Sequence, residues 1–220
     1  MNKSKKVVAI IGATGQIGNH LVSELLDSNQ VETIHIISRK EMDIQSPKVV
    51  YHITSLDQLL KIDLPKIDIG YCCLGTTLKL ARSIKQFRKV DIDYVHHFAK
   101  RLKKTGTQAF NVVSAIGADS YSSNYYKEAK GEMEEHLMKL DFKSLSIFRP
   151  SLLLASRSEK RTLEEFVMPI SKVLNIFLVR SLSKYQSIPV SVVATAMYKY
   201  SLLELKGVKF YYKKEMDAIA

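Results

Sequence analysis

Apolar positions along the chain fall into two alternating patterns. Short, nearly continuous apolar runs occur at "KKVVAII" (5–11), "TIHIIS" (33–38), "KVVYHI" (48–53), "DIGYCCLG" (68–75), "AFNVVSA" (109–115) and "KSLSIFRP" (143–150). Each is too short for a helix and reads as a strand buried on both faces. Between them lie segments with helical spacing. Residues 17–27 place Ile17, Leu21, Val22 and Leu25 on one face. Phe87, Val90, Tyr94, Val95, Phe98 and Leu102 share a face of one long helix. Residues 124–140 turn Ala129, Met133, Leu137 and Leu140 inward. Ser55 to Gln58, "SLDQ", has capping-box spacing and opens a short helix after the third strand. Strands alternating with helices predict an α/β fold, with a doubly wound, mostly parallel sheet covered on both faces.

After Pro150 the regularity weakens. Helices are expected near 162–178 and 190–205, with a late strand at "KFYY" (209–212). The 220 residues therefore read as a single domain, with the residues after 150 forming much of a small substrate cap.

Composition narrows the setting. With 46% hydrophobic residues the chain can build a sizeable core. The longest apolar stretch, "FVMPISKVLNIFLV", is broken by Pro169 and Lys172 and falls short of the ~20 residues of a membrane span. No stable membrane insertion is expected, and cytoplasmic residence is the default. Cys72 and Cys73 are adjacent, so on a strand they point to opposite faces and are unsuited to pairing. The net charge of +11 would suit nucleic acid, but the cations are interspersed with acidic residues and form no recognition motif. No nucleic-acid partner is expected.

The chemistry begins at the first strand's end. "GATGQIG" spaces Gly12, Gly15 and Gly18 three apart, directly between a strand and a helix. In that context glycines let the backbone approach a pyrophosphate, and the helix N-terminus offers unpaired N–H groups. The second strand ends in "SRK" rather than a carboxylate: Arg39 and Lys40 would attract a ribose 2′-phosphate, so NADP(H) is the expected cofactor. Farther along, Tyr126 and Lys130 stand four apart on the helix after the fifth strand, and Ser114 closes that strand. A phenol is a weak acid–base group at neutral pH, and a nearby ammonium would lower its pKa. Tyr126 could then exchange a proton with a carbonyl or alcohol oxygen while Ser114 orients that oxygen.

These residues together resemble a short-chain dehydrogenase/reductase. "GYCCLGTT", "VDIDYV", "FNVVSAIGADSYSSNYYKEAKGEMEEHL" and "SIFRPSLLLASR" are similar to the atypical branch that includes the Tat-interacting-protein oxidoreductases and their bacterial relatives. The resemblance implies an NADPH-binding Rossmann fold. It implies cofactor contacts at Gly12, Thr14, Gly15, Gln16, Ile17, Gly18, Arg39, Lys40, Leu74, Gly75, Tyr126, Lys130, Leu153 and Arg161, with Ser114, Tyr126 and Lys130 as the catalytic residues. Two departures stand out: Ala115 follows Ser114 where relatives often have a second serine, and Ser151 replaces the frequent glycine after Arg-Pro. Asp91 and Asp93 match the branch's "VDxDY" pattern, with capping and packing near the cofactor both open as roles.

The expected function is NADPH-dependent hydride transfer to or from a small carbonyl or alcohol substrate. The alternative is an NADPH-binding sensor with little turnover. No metal site is expected, since His96 and His97 lack ligand spacing. A protein partner or a homodimer stays open.

Overall fold

The computed structural model describes residues 4–154, 186–203 and 205–220. Its body is a seven-stranded sheet in the order β3-β2-β1-β4-β5-β6-β9, every neighbouring pair parallel. The strands are β1 (Lys6–Ile11), β2 (Val31–Ser38), β3 (Val49–Ile53), β4 (Ile69–Cys72), β5 (Ala109–Val113), β6 (Ser144–Phe148) and β9 (Gly207–Tyr211). A two-residue pair, β7 (Leu153–Leu154) with β8 (Ile188–Pro189), forms a second small sheet. The doubly wound expectation holds.

The strands read as apolar runs because both faces are covered. On one face, α1 (Gln16–Asp27), α6 (Val190–Ser201) and α7 (Lys213–Ile219) pack around Val8, Ile10, Leu21, Ile34, Ile36, Val193, Met197 and Met216. On the other, α4 (Val95–Lys104) and α5 (Tyr125–Met138) close over Ile11, Phe98, Leu102, Phe110, Val112, Met133 and Leu137. Each of these residues is essentially fully buried.

Three details differ from the sequence pattern. The long helix is not continuous. After the short α2 (Leu78–Ala81) it runs as α3 (Ile84–Arg88), a π-helical stretch from Lys89 to Tyr94, and then α4. A π turn holds an extra residue without breaking the helix, so heptad-like spacing survives on either side of it. The "SLDQ" segment caps differently: Ser55 precedes a 3₁₀ helix (Leu56–Lys61) and its side chain makes no capping bond. Finally, part of the region expected as a cap belongs to the body. α6 packs against α1, and β9 extends the main sheet beside β6. The helix expected at 162–178 and the cofactor residue Arg161 lie outside the described residues.

Strand order reverses between β1 and β4, the switch point at which such sheets bind ligands beyond their carboxyl ends.

Candidate active site

The glycine turn sits at that switch point. Gly12 has φ +81°, and a Cβ there would lie 2.5 Å from the Cys73 carbonyl carbon and 2.7 Å from the Leu74 nitrogen. Only glycine allows β1 and β4 to end this close together. A Cβ on Gly18 would collide with the Gly12 carbonyl, so the third glycine lets α1 press against the turn. Gly15 differs, with a Cβ position open apart from the Gly12 oxygen at 3.3 Å. It is the N-cap of α1 and supplies no side-chain cap, and no acidic residue lies in the first turn. The helix end is thus uncapped by side chains and electropositive, beside exposed Thr14 and Gly15. Gln16 Nε2 is buried there without a hydrogen-bond partner. An anion-bearing ligand would satisfy this end, which fits a dinucleotide pyrophosphate. Ile17 is buried and anchors the helix in the core.

Beyond β2, Arg39 and Lys40 are exposed, and neither takes part in an ion pair among the described residues. The Ser38 hydroxyl donates to the Lys40 carbonyl at 2.7 Å, folding the chain end so that both cations follow the strand directly. Across the switch point, Leu74 is half-buried against the core and Gly75 is exposed. Leu153 is half-buried in β7.

Tyr126 and Lys130 lie one turn apart on α5. Asn124 starts that helix, its side chain accepting from the Tyr126 and Lys127 N–H groups at 3.0 and 3.2 Å. The cap fixes the register that aims Tyr126. The Tyr126 ring lies 5.9 Å from that of Phe87, which is fully buried on α3. Tyr126 keeps 37% of its surface exposed, so a substrate can reach the residue, while protein packed around its hydroxyl end withdraws much of the water there.

Lys130 is buried, and its Nζ lies 2.7 Å from Asp91 Oδ1. Asp91 is completely buried in the π-helical stretch, and its Oδ2 accepts from the Thr76 N–H at 2.9 Å. Asp93 is exposed. Burial alone would drive Lys130 toward neutrality, but the Asp91 carboxylate outweighs it and holds the ammonium above its ordinary range. The same neighbourhood corrects the expectation for Tyr126. Burial pushes the phenol up, and the opposing pull of Lys130, itself paired with Asp91, does not overcome it. The phenol is therefore protonated at neutral pH.

Ser114 is placed differently from the sequence expectation. It is buried, and its hydroxyl donates to Glu134 Oε1 on α5. Glu134, also buried, is paired with Arg149 at the end of β6 through Arg149 Nε at 3.0 Å and Arg149 Nη2. Arg149 Nη1 continues to the Tyr212 hydroxyl at 3.0 Å, and the guanidinium stacks 4.5 Å over the Phe210 ring. A serine has one proton to give, and here a buried carboxylate takes it. Glu134 and Arg149 carry no sequence signal of this role. A Glu on a helix and an Arg before a proline look solvated until the fold joins them.

A family model described as NAD(P)H-binding matches residues 12–167. The chain belongs to this NAD(P)H-binding family. Protein HTATIP2 of Rattus norvegicus is 36% identical over 162 residues, covering 71% of this chain and 66% of that protein, just under two thirds of its length. Protein FMP52, mitochondrial, of Debaryomyces hansenii is 29% identical over 157 residues, covering 69% of each. These relatives bear out the resemblance to atypical short-chain dehydrogenases/reductases. Among solved structures, MoeE5 in complex with UDP-glucose and NAD superposes with a TM-score of 0.69 at 13% identity, covering 96% of this chain and 80% of that one. That likeness establishes the Rossmann-like fold alone. The cytoplasmic expectation is corrected: the fungal relatives of this NAD(P)H-binding chain are named mitochondrial. Among the described residues no helix is long and apolar enough to cross a membrane.

Proposed function

We propose that this NAD(P)H-binding protein is an NADPH-dependent oxidoreductase acting on a carbonyl or alcohol substrate, with Tyr126 as its acid–base residue. The observation that carries the reading is the union of an accessible phenol and a buried, charged lysine one turn below it, at the ligand-binding end of the sheet. The turn at Gly12, Gly15 and Gly18, with the α1 N-terminus, would hold the pyrophosphate. Arg39 and Lys40 would hold a 2′-phosphate. Lys130, beneath exposed Gly75, would reach the nicotinamide ribose. The bound cofactor supplies a hydride and the affinity for one. The protein's own residues orient the substrate oxygen at Tyr126 and deliver or accept the proton there.

Ser114 supports a second reading. Because its proton is engaged by Glu134, it is poorly placed to donate to a substrate oxygen. A site lacking that donor would turn over slowly, as in an NADPH-binding sensor. Tyr126→Phe tests the primary reading, since it removes only the hydroxyl. Turnover of an accepted aldehyde, ketone or quinone should fall by roughly 10²–10⁴ with NADPH affinity little changed. Unchanged turnover refutes Tyr126 as the acid–base group. Tight NADPH binding with no turnover across the substrate screen would favour the sensor.

A further inference from the structure

The described chain contains one buried ion pair that meets the reaction site directly, Asp91 with Lys130. We infer that Asp91 is a positioning residue: it fixes the Lys130 ammonium beneath Gly75 and offsets that charge at Tyr126. This rests on the function proposed above and deepens it, because it names the group that places the lysine and tunes the phenol.

The geometry supports this in three ways. Asp91 is fully buried and Lys130 nearly so, with 2.7 Å between Oδ1 and Nζ, so little water screens the pair. The second carboxylate oxygen is held by the Thr76 N–H at 2.9 Å, which fixes the direction from which the negative charge acts. The π-helical stretch from Lys89 to Tyr94 carries Asp91 into contact with α5, and such turns recur at functional sites. A Cβ on Gly75 would lie 3.6 Å from Asp91 Oδ1 and 3.8 Å from Lys130 Nζ. The pair therefore sits immediately under an exposed, side-chain-free point of the chain, where a ribose could reach it.

The titratable groups that act on this point come from each packed element. They are Tyr126, Tyr125 and Lys130 on α5, Asp91 on the π-helical stretch, and Cys72 on β4. Burial pushes the Cys72 thiol up to about 12, so it brings no charge at neutral pH. At Tyr126 the lysine lowers the phenol pKa and the aspartate raises it, which is the opposition expected of a dipole whose ends both lie nearby.

In the reductive step the carbonyl carbon gains a hydride and the carbonyl oxygen gains the Tyr126 proton. The C=O π bond would be replaced by one C–H and one O–H bond, the hydride and its two electrons being supplied by a bound dihydronicotinamide. The phenolate left behind recovers its proton from solvent, to which Tyr126 is open. Asp91 does not alter the equilibrium of that reaction. It sets how small the phenolate fraction of Tyr126 is at a given pH.

The test is a titration of the Tyr126 phenol in the full-length, cofactor-free protein. Tyrosine labelled at the ring Cζ is followed by NMR, with the resonance assigned by its loss in Tyr126→Phe. Asp91→Asn should lower the Tyr126 midpoint by about one unit or more, because Lys130 then acts unopposed. Where a substrate is turned over, alcohol oxidation at neutral pH should rise about tenfold per unit. A second variant guards against misfolding. Asp91→Asn combined with Lys130→Met removes both charges and should leave the midpoint close to wild type. An unchanged or raised midpoint in Asp91→Asn overturns the inference, as does a shift of a unit or more in the double variant. Because the titration needs no turnover, its failure is separable from failure of the enzymatic reading, which is tested by Tyr126→Phe activity.

Discussion

Ser114→Ala separates a catalytic serine from a structural one. The Ser114 hydroxyl donates to Glu134, a buried carboxylate already paired with Arg149. Alanine removes this bond and leaves the ion pair in place. A hydrogen bond to a charged group contributes about 1.5–3 kcal/mol. For a chain of this size 1 kcal/mol corresponds to about 2–4 °C, so Tm should fall by about 3–12 °C. If the serine only ties β5 to α5 and β6, kcat should change by no more than a few-fold. If it donated to the substrate oxygen, loss of that donor would cost roughly 10²–10³ in kcat. Thermal unfolding followed by circular dichroism, with steady-state turnover on the same preparation, decides between them. A large loss of kcat with an unchanged Tm would refute the structural assignment and restore Ser114 to the reaction.

Two further predictions address the cofactor and the fold. Arg39→Ala should weaken NADPH by about 1.5–3 kcal/mol, roughly 10- to 150-fold, and leave NADH untouched, as calorimetric titration of both nucleotides would show; wild-type protein that binds the two equally would remove the case for NADP(H). The His35 and His52 rings meet at 2.8 Å between Nδ1 and Nε2, and burial followed by the proximity of His52 pushes His35 down to about 4. The folded state thus refuses a proton that the unfolded chain accepts below about pH 6.5. The stability that depends on neutral His35 is complete above that pH and is lost as pH falls toward 4, by about 3 kcal/mol at most. Urea unfolding at several pH values should show this loss in the wild type and less of it in His35→Gln; parallel curves would contradict the assignment.

What the sequence determined by itself was whatever depends on local periodicity and on short, contiguous motifs. Apolar strand runs against helical spacing specify a parallel sheet. "GATGQIG" between a strand and a helix specifies the turn, because Gly12 needs a positive φ and Gly18 needs contact without a side chain. Tyr126 and Lys130 were legible because four residues make one helical turn. The tertiary structure decided everything that joins distant segments. Asp91 was visible in "VDIDYV" but without a role, since its partner is Lys130 on another helix. The π-helical stretch left no mark in the apolar pattern, as an added residue changes which side chain points inward without changing the residues themselves. Ser114 could be placed at a strand end from sequence, but its proton goes to Glu134, and Glu134 is held by Arg149 from a third element. Electrostatics differ most. The field at Tyr126 depends on burial and on charges folded in from elsewhere, so a lysine one turn away suggested a lowered phenol pKa, whereas burial, with the Asp91 carboxylate adding to it, raises that pKa in the fold.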